Sequence, residues 1–347
     1  MRVRIGNTCR TVEHCLGGAR RLAFATEMRR RNFLAGIGAV LSPAALRAQQ
    51  APPLIGVVRV GNRADDQFES VFRRDLVRLG WEDGKTYRMQ VLFADGNTSR
   101  MSALTAELVK AGPKVMVTFG NLGLAAAQAA TRDIPIVGMA NDLVAAGLVS
   151  SMARPGGNTT GVSILAHELD VKRLEVLHEI APQARKIGLV TDDNFEIKGQ
   201  LEKLQAAAPN MGLALTVVHV QTPAEIAPAI AALAAAGVED GQFTTSPFLN
   251  STRATFIAAM TKMKLPAMFE WPETVEEGGL ISYGPRISLC YRHVAVLVNK
   301  VLRGAKPADL PIEQPVTFTL AVNTGTARAI GLTLPESMLL RADVVVD

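Results

Sequence analysis

Residues 115–139, VMVTFGNLGLAAAQAATRDIPIVGM, decide the fold. An apolar run of strand length, 115–119, stops at Gly120-Asn121. A helical pattern follows over 122–131, and a second apolar run spans 134–139. Apolar runs without alternation read as strands covered on both faces. A helix joining two such strands makes them parallel neighbours.

The same alternation extends in both directions. Upstream, 54–60 (LIGVVRV) reads as a buried strand and 66–79 as a helix with Phe68, Phe72, Leu76 and Leu79 on one stripe. A strand at 87–93 and a helix at 99–111, stopped by Gly112-Pro113, complete the run. Downstream, the turn cluster at 153–158 (ARPGGN) breaks the pattern, which then restarts. Helices are expected at 169–180, 196–207, 224–236 and 251–263, with strands at 186–190, 213–220, 242–245 and 267–269. A strand at 280–283, a helix at 291–302 and a strand at 317–323 close the chain, punctuated by Pro307, Pro311 and Pro315. The expected fold class is α/β: two doubly wound parallel-sheet lobes joined by several crossings, with a cleft at the carboxyl ends of the strands.

The N-terminal region reads differently. Residues 28–48, MRRRNFLAGIGAVLSPAALRA, have the layout of an export leader: charged start, apolar middle, small-residue exit. The core Arg30-Arg31-Asn32-Phe33-Leu34 looks like a twin-arginine signal. The apolar run at 33–46 is shorter than the roughly 20 residues a bilayer span needs. The expectation is a leader over 1–48, cleaved after Ala48, with 1–27 an over-extended start upstream of Met28, and a periplasmic mature protein.

The leader also carries the positive charge. The chain is formally +5, with 37 Lys+Arg and 32 Asp+Glu, but residues 1–48 hold nine Arg and two Glu. That leaves 28 basic and 30 acidic residues, a net of −2, so no nucleic-acid partner is expected. Cys9 and Cys15 lie in the same segment, and Cys290 alone remains, which reads as a small core residue.

Enzyme signatures are absent: no phosphate-binding glycine loop, no His-Glu-x-x-His and no nucleophile elbow. His167, His178, His219 and His293 have no metal-site spacing. No cofactor, metal or catalytic residue is expected. Small polar residues instead gather at strand ends: Asn62, Gly120, Asn121, Asp142, Asp192, Asn194 and Ser246. Glu270, Phe248 and Tyr283 fall on the same edge, beside Phe269 and Trp271. Capping and turn formation explain each small polar residue singly. Together these ten form the candidate ligand set, with backbone N–H groups at Asn121 for a carboxylate. Asp142 would take an amine, and Phe248 or Tyr283 an apolar side chain.

The segment Asp142 to Ser163, DLVAAGLVSSMARPGGNTTGVS, resembles the D-P-V-x-x-G-L-V…L-x-x-P-G-G-N-x-T-G run of ABC transporter substrate-binding proteins of the tryptophan/tyrosine-type group. The likeness continues in ELDVKRLE at 168–175, GGLISYGP at 278–285, LRGAKPADLPIEQP at 302–315 and AIGLTLP at 329–335. It implies a type I periplasmic-binding-protein fold with three hinge crossings. Lobe one would hold 52–160 and 280–308, lobe two 161–279 and 309–347. It further implies a monomeric receptor that closes on a small organic solute, an amino acid or related carboxylate, and delivers it to an ABC permease. A ligand sensor for a signalling kinase, or a hydrolase on the same two-lobe fold, is the alternative. Leu143 and Asn121 depart from the family's usual Pro and hydroxyl residue, so ligand identity does not carry over.

Overall fold

A computed structural model describes residues 51–64, 67–165, 168–192 and 199–347. The leader over 1–48, its start at Met28, Asn194 and His167 lie outside the described residues. The first sheet contains β1 (Leu54–Arg59), β2 (Arg88–Phe93), β3 (Val115–Phe119), β4 (Ile136–Ala140) and β5 (Thr159–Ser163), all parallel, in the order β2-β1-β3-β4-β5. Helices α1 (Phe68–Arg78), α2 (Met101–Lys110) and α3 (Gly120–Ala130) connect the first four strands. Every residue of β3 and β4 is buried, which is why both read as unbroken apolar runs. On α1 the spacing of Phe68, Phe72 and Leu76 puts all three on the buried face.

The chain then crosses to α4 (Asp170–Ile180), β6 (Lys186–Thr191), α5 (Gln200–Ala207), β7 (Ala214–His219) and α6 (Pro223–Ala235). It continues through β8 (Asp240–Phe243), α7 (Pro247–Ser251), α8 (Arg253–Met263), β9 (Ala267–Phe269), α9 (Pro272–Glu276) and β10 (Ile281–Gly284). Helix α10 (Ile287–Leu302) returns to the first lobe, packing on α1 and on β3 to β5. The last segment, β11 (Thr319–Asn323), α11 (Thr324–Ile330), α12 (Glu336–Arg341) and β12 (Val344–Val346), completes a seven-stranded sheet in the order β12-β11-β10-β9-β8-β6-β7.

The two α/β lobes agree with the expected fold class, with three differences. β10 and β11 pair antiparallel, because β11 enters the sheet directly from the third crossing without a covering helix. β5 belongs to the first sheet, so lobe one extends past 160: the strand is Thr-Thr-Gly-Val-Ser, a composition that reads as turn until β4 pairs with it. Residues 281–284 belong to lobe two, not lobe one, because β10 pairs with both β9 and β11. The second crossing therefore runs from Gly284 to Ile287. The third runs alongside β5, where the Glu313 N–H donates to the Gly161 carbonyl (2.9 Å) and the Ser163 N–H to the Glu313 carbonyl (2.9 Å).

The lobes are in contact. One apolar cluster runs from Val58, Leu108 and Leu124 of lobe one to Val190, Phe243 and Phe248 of lobe two. Two glycines permit this approach. A Cβ on Gly61 would stand 2.6 Å from Ser251 Cβ, and one on Gly96 would stand 2.9 Å from Pro223 Cγ. Both distances are shorter than carbon atoms tolerate, so the closed arrangement requires bare backbone at these positions.

Candidate functional site

Strand ends of both lobes line a chamber between them. Lobe one contributes Arg59, Phe119, Gly120, Met139, Ala140 and Ile164; lobe two contributes Thr245, Ser246, Pro247, Asn250 and Trp271. Ile287 and Tyr291 of α10 close the wall. A second space of about 460 Å³ shares Arg59, Pro247, Asn250, Ile287 and Tyr291 with the first and adds Gly61, Asn62, Gln67, Ser251, Arg253 and Glu273. A third, of about 240 Å³, lies past Gly120 and Pro247 and is walled by Asn121, Asp192 and Phe248.

Arg59 is the charged centre of this region. Its guanidinium lies 4.1 Å from the Phe119 ring centroid, 5.2 Å from Phe68 and 5.7 Å from Tyr291. Its Nη2 also donates to the Tyr291 hydroxyl at 3.4 Å. The rings are held edge-on to one another, Phe68 to Phe119 at 4.8 Å and Phe68 to Tyr291 at 5.1 Å. Cation–π attraction from this aromatic cage fixes a positive charge beside the chamber. Arg59 was absent from the expected set, although a lone Arg within the apolar run 54–60 was the available signal.

The expected residues divide into groups. Gly120 lines the chamber at the start of α3 with φ +75°, a conformation that favours glycine. No side chain caps that helix, so its first-turn amides are left for another acceptor. Asn121 lies in the same turn, and its Oδ1 is buried without a partner. Asn62 lines the second space and accepts from the Ala64 N–H at 2.8 Å. Ser246 caps α7, accepting from the Phe248 and Leu249 amides, and donates to Asp192 Oδ2 at 2.9 Å. Asp192 and Phe248 form part of the third space, with Phe248 fully buried.

Three residues are placed elsewhere. Asp142 accepts from the Val144 and Ala145 amides at 2.9 and 3.0 Å and lines none of the three spaces; it is the turn former its residue type suggests. Replacing Asp142 by alanine is therefore expected to leave solute affinity unchanged and to cost about 1 kcal/mol of stability, measurable by calorimetric titration and urea unfolding. Tyr283 belongs to lobe two, packs on Phe318 with ring centroids 6.4 Å apart, and lines none of the three spaces. Glu270 is buried behind Trp271 rather than lining the chamber.

Burial pushes the Glu270 carboxyl up to about 7, against the opposing pull of the Arg173 charge. Arg173 itself is 1% exposed and joins several parts of lobe two. It donates through Nε to the Tyr283 carbonyl (2.8 Å), and through Nη1 to Asp170 Oδ1 (2.7 Å) and Thr245 Oγ1 (3.3 Å). Gln200 Nε2 donates to Asp170 Oδ2 at 2.6 Å, and Gln242 Nε2 to the Asp170 carbonyl at 2.9 Å. This network ties a chamber residue, Thr245, to the end of β10 where the second crossing begins. Sequence reading missed it, because Arg173 and Asp170 look like an ordinary surface pair one helical turn apart.

Cys290 is buried in α10 and its thiol is pushed up to about 12 by burial, so it is a packing residue. Among the described residues no group of three or more His, Cys, Asp or Glu could hold a metal ion. Also among the described residues, no helix is long and apolar enough to cross a membrane.

Residues 57–346 match the family model described as ABC transporter substrate binding protein. A protein of Clostridioides difficile (strain R20291) named tyrosine-binding protein is 25% identical over 270 residues, covering 77% of each chain. A structure described as the ABC domain in complex with L-Trp, from Streptococcus pneumonia, is 25% identical with a TM-score of 0.75, covering 85% of this chain and 100% of that one. A conserved domain protein from Vibrio cholerae O1 biovar eltor is 26% identical with a TM-score of 0.77, at the same coverage.

Proposed function

Because the chain belongs to the ABC transporter substrate-binding protein family, we propose that it is an exported receptor whose interlobe chamber captures a small carboxylate with an apolar or aromatic body. The observation that carries this reading is the chamber itself. Arg59 is held by an aromatic cage on one side, and the uncapped first turn of α3 is beside it. Both favour an anionic oxygen. Phe119, Met139, Trp271 and Tyr291 offer apolar surface for the rest of the molecule. The carboxylate role stays with the Gly120-Asn121 turn and gains Arg59. The amine role passes from Asp142 to Asp192, which walls the third space together with Asn121. The two relatives described with tyrosine and L-Trp support an aromatic amino acid or a close analogue as solute.

In this reading the segment 28–48 exports the protein to the periplasm, by the twin-arginine route, and is removed. The mature chain acts as a monomer and hands its solute to the permease subunits of an ABC transporter. Closure is stabilised because the solute touches both lobes only when they meet. A thermal-shift panel of L-tryptophan, L-tyrosine, phenylacetate, 3-(4-hydroxyphenyl)propionate and short aliphatic carboxylates tests it. A solute at a hundred times its Kd is expected to stabilise the native state by about 2.7 kcal/mol. A panel that leaves the melting temperature unmoved throughout would refute the carboxylate reading.

A further inference from the structure

Helix α9 and its C-cap, PETVEE at 272–277, belong to lobe two and present three carboxylates, Glu273, Glu276 and Glu277. Positions three and four apart share one helix face. Each carboxylate is used outside α9. Glu273 accepts from the Ile287 and Ser288 amides at 3.2 and 3.1 Å and from the Ser288 hydroxyl at 2.8 Å. It thereby caps the first turn of α10 from across the second crossing. Glu276 accepts from Arg286 Nη1 at 2.8 Å, inside that crossing. Glu277 accepts from Arg253 Nε and Nη2 of α8 at 2.6 and 2.9 Å, and from Gln67 Nε2 of lobe one.

These contacts differ in what brings the partners together. Glu273 and Glu276 reach residues 10 to 15 positions along the chain, so the crossing itself keeps them near. Gln67 and Glu277 are 210 positions apart, and neither belongs to a crossing. Only the approach of the lobes joins them. Arg253 lies in lobe two with Glu277 and orients its carboxylate through two charge-assisted bonds. Gln67 and Arg253 also line the second space, so this contact is made where the lobes meet. We infer that Glu277 is a positioning residue for solute capture: oriented by Arg253, it is the lobe-two half of a latch that Gln67 completes on closure. It acts on affinity by favouring the closed state, without touching the solute. This inference rests on the reading of the chain as a closing receptor, not on the identity of the solute.

Gln67→Met keeps the length of the side chain and removes its donor. The probe is whichever of L-tryptophan, L-tyrosine, phenylacetate or 3-(4-hydroxyphenyl)propionate most raises the melting temperature. Calorimetry and stopped-flow kinetics are expected to show binding weakened about three- to tenfold in Gln67→Met. The loss should lie in faster dissociation, with association and the urea midpoint of the solute-free chain unchanged. In a Glu277→Ala background, Gln67→Met should add nothing, because the bond is already gone. Native dissociation from Gln67→Met, or additive losses in the double variant, overturns the latch and leaves the solute reading standing. If none of the four probes binds, the carboxylate reading falls, and small-angle scattering of the solute-free chain decides the latch. A larger radius of gyration in Glu277→Ala than in the wild type then supports it, and an equal one overturns it.

Discussion

Replacing Gly61 by valine is expected to lower solute affinity about a hundredfold or more while the chain still folds. The cause is steric and sits at the lobe contact. Even one carbon on Gly61 would stand 2.6 Å from Ser251 Cβ and 3.9 Å from its Cα. Ser251 is not a flexible side-chain end that can swing away, because its hydroxyl donates to the Phe248 carbonyl at 2.7 Å. The neighbour that a Gly61 side chain would meet is Ser251 of the other lobe, so the substitution bears on closure rather than on folding. A receptor held open offers the solute one lobe at a time, and the differential affinity that drives closure is lost. Calorimetric titration gives the affinity, and small-angle scattering gives the shape. Native affinity in Gly61→Val would show that the lobes need not approach as closely as Gly61 and Ser251 do here.

Replacing Arg173 by methionine is expected to cost about 3–5 kcal/mol of stability near pH 8, read from urea unfolding. Removing one partner of a buried ion pair leaves the other charge without compensation. Here Asp170 keeps Gln200 but loses the guanidinium. Glu270 loses the positive charge that offsets its burial. The Tyr283 carbonyl, at the start of the second crossing, loses its donor as well. The pH dependence follows from Glu270, whose folded value of about 7 lies above its ordinary 4.5. The unfolded chain therefore releases this proton first. The stabilising contribution is complete below about 4.5 and is lost as pH rises through about 7. Arg173→Met is expected to extend that decline to higher pH, whereas Glu270→Gln removes the Glu270 share and leaves that of Asp240, whose carboxyl burial also pushes up to about 7. A flat stability profile between pH 5 and 8 in the wild type would show that Glu270 ionises without cost.

The two predictions rest on features with different visibility in the sequence. Strands β3 and β4 and helix α3 are written in local pattern, because both faces of the sheet are covered and the burial of each residue follows from its neighbours along the chain. β5 carries no such pattern; its Thr-Thr-Gly-Val-Ser becomes a strand only by pairing with β4. β10 is a recognisable strand whose lobe is undecided by sequence, since membership depends on the non-local partners β9 and β11. Site residues follow the same division. Gly120, Asn121, Asp192 and Ser246 mark strand ends, and the fold brings them to the cleft. Asp142 and Tyr283 sit on equivalent strand ends yet turn to a local cap and to Phe318.

The amino-acid sequence alone determined the two-lobe α/β plan and, through its motifs, the family. Hydrophobic periodicity and turn chemistry are short-range properties and suffice for the plan, whereas the family is carried by the motif resemblance. Tertiary structure alone decided which side chains meet at the cleft. Arg59 gains its cage from Phe68, Phe119 and Tyr291, residues far apart in the chain. Trp271 crosses from one lobe into the packing of the other, and Arg173 is buried by the sheet that forms over it. Charge, burial and hydrogen-bond satisfaction depend on everything packed around a group, and most of that surrounding comes from distant sequence.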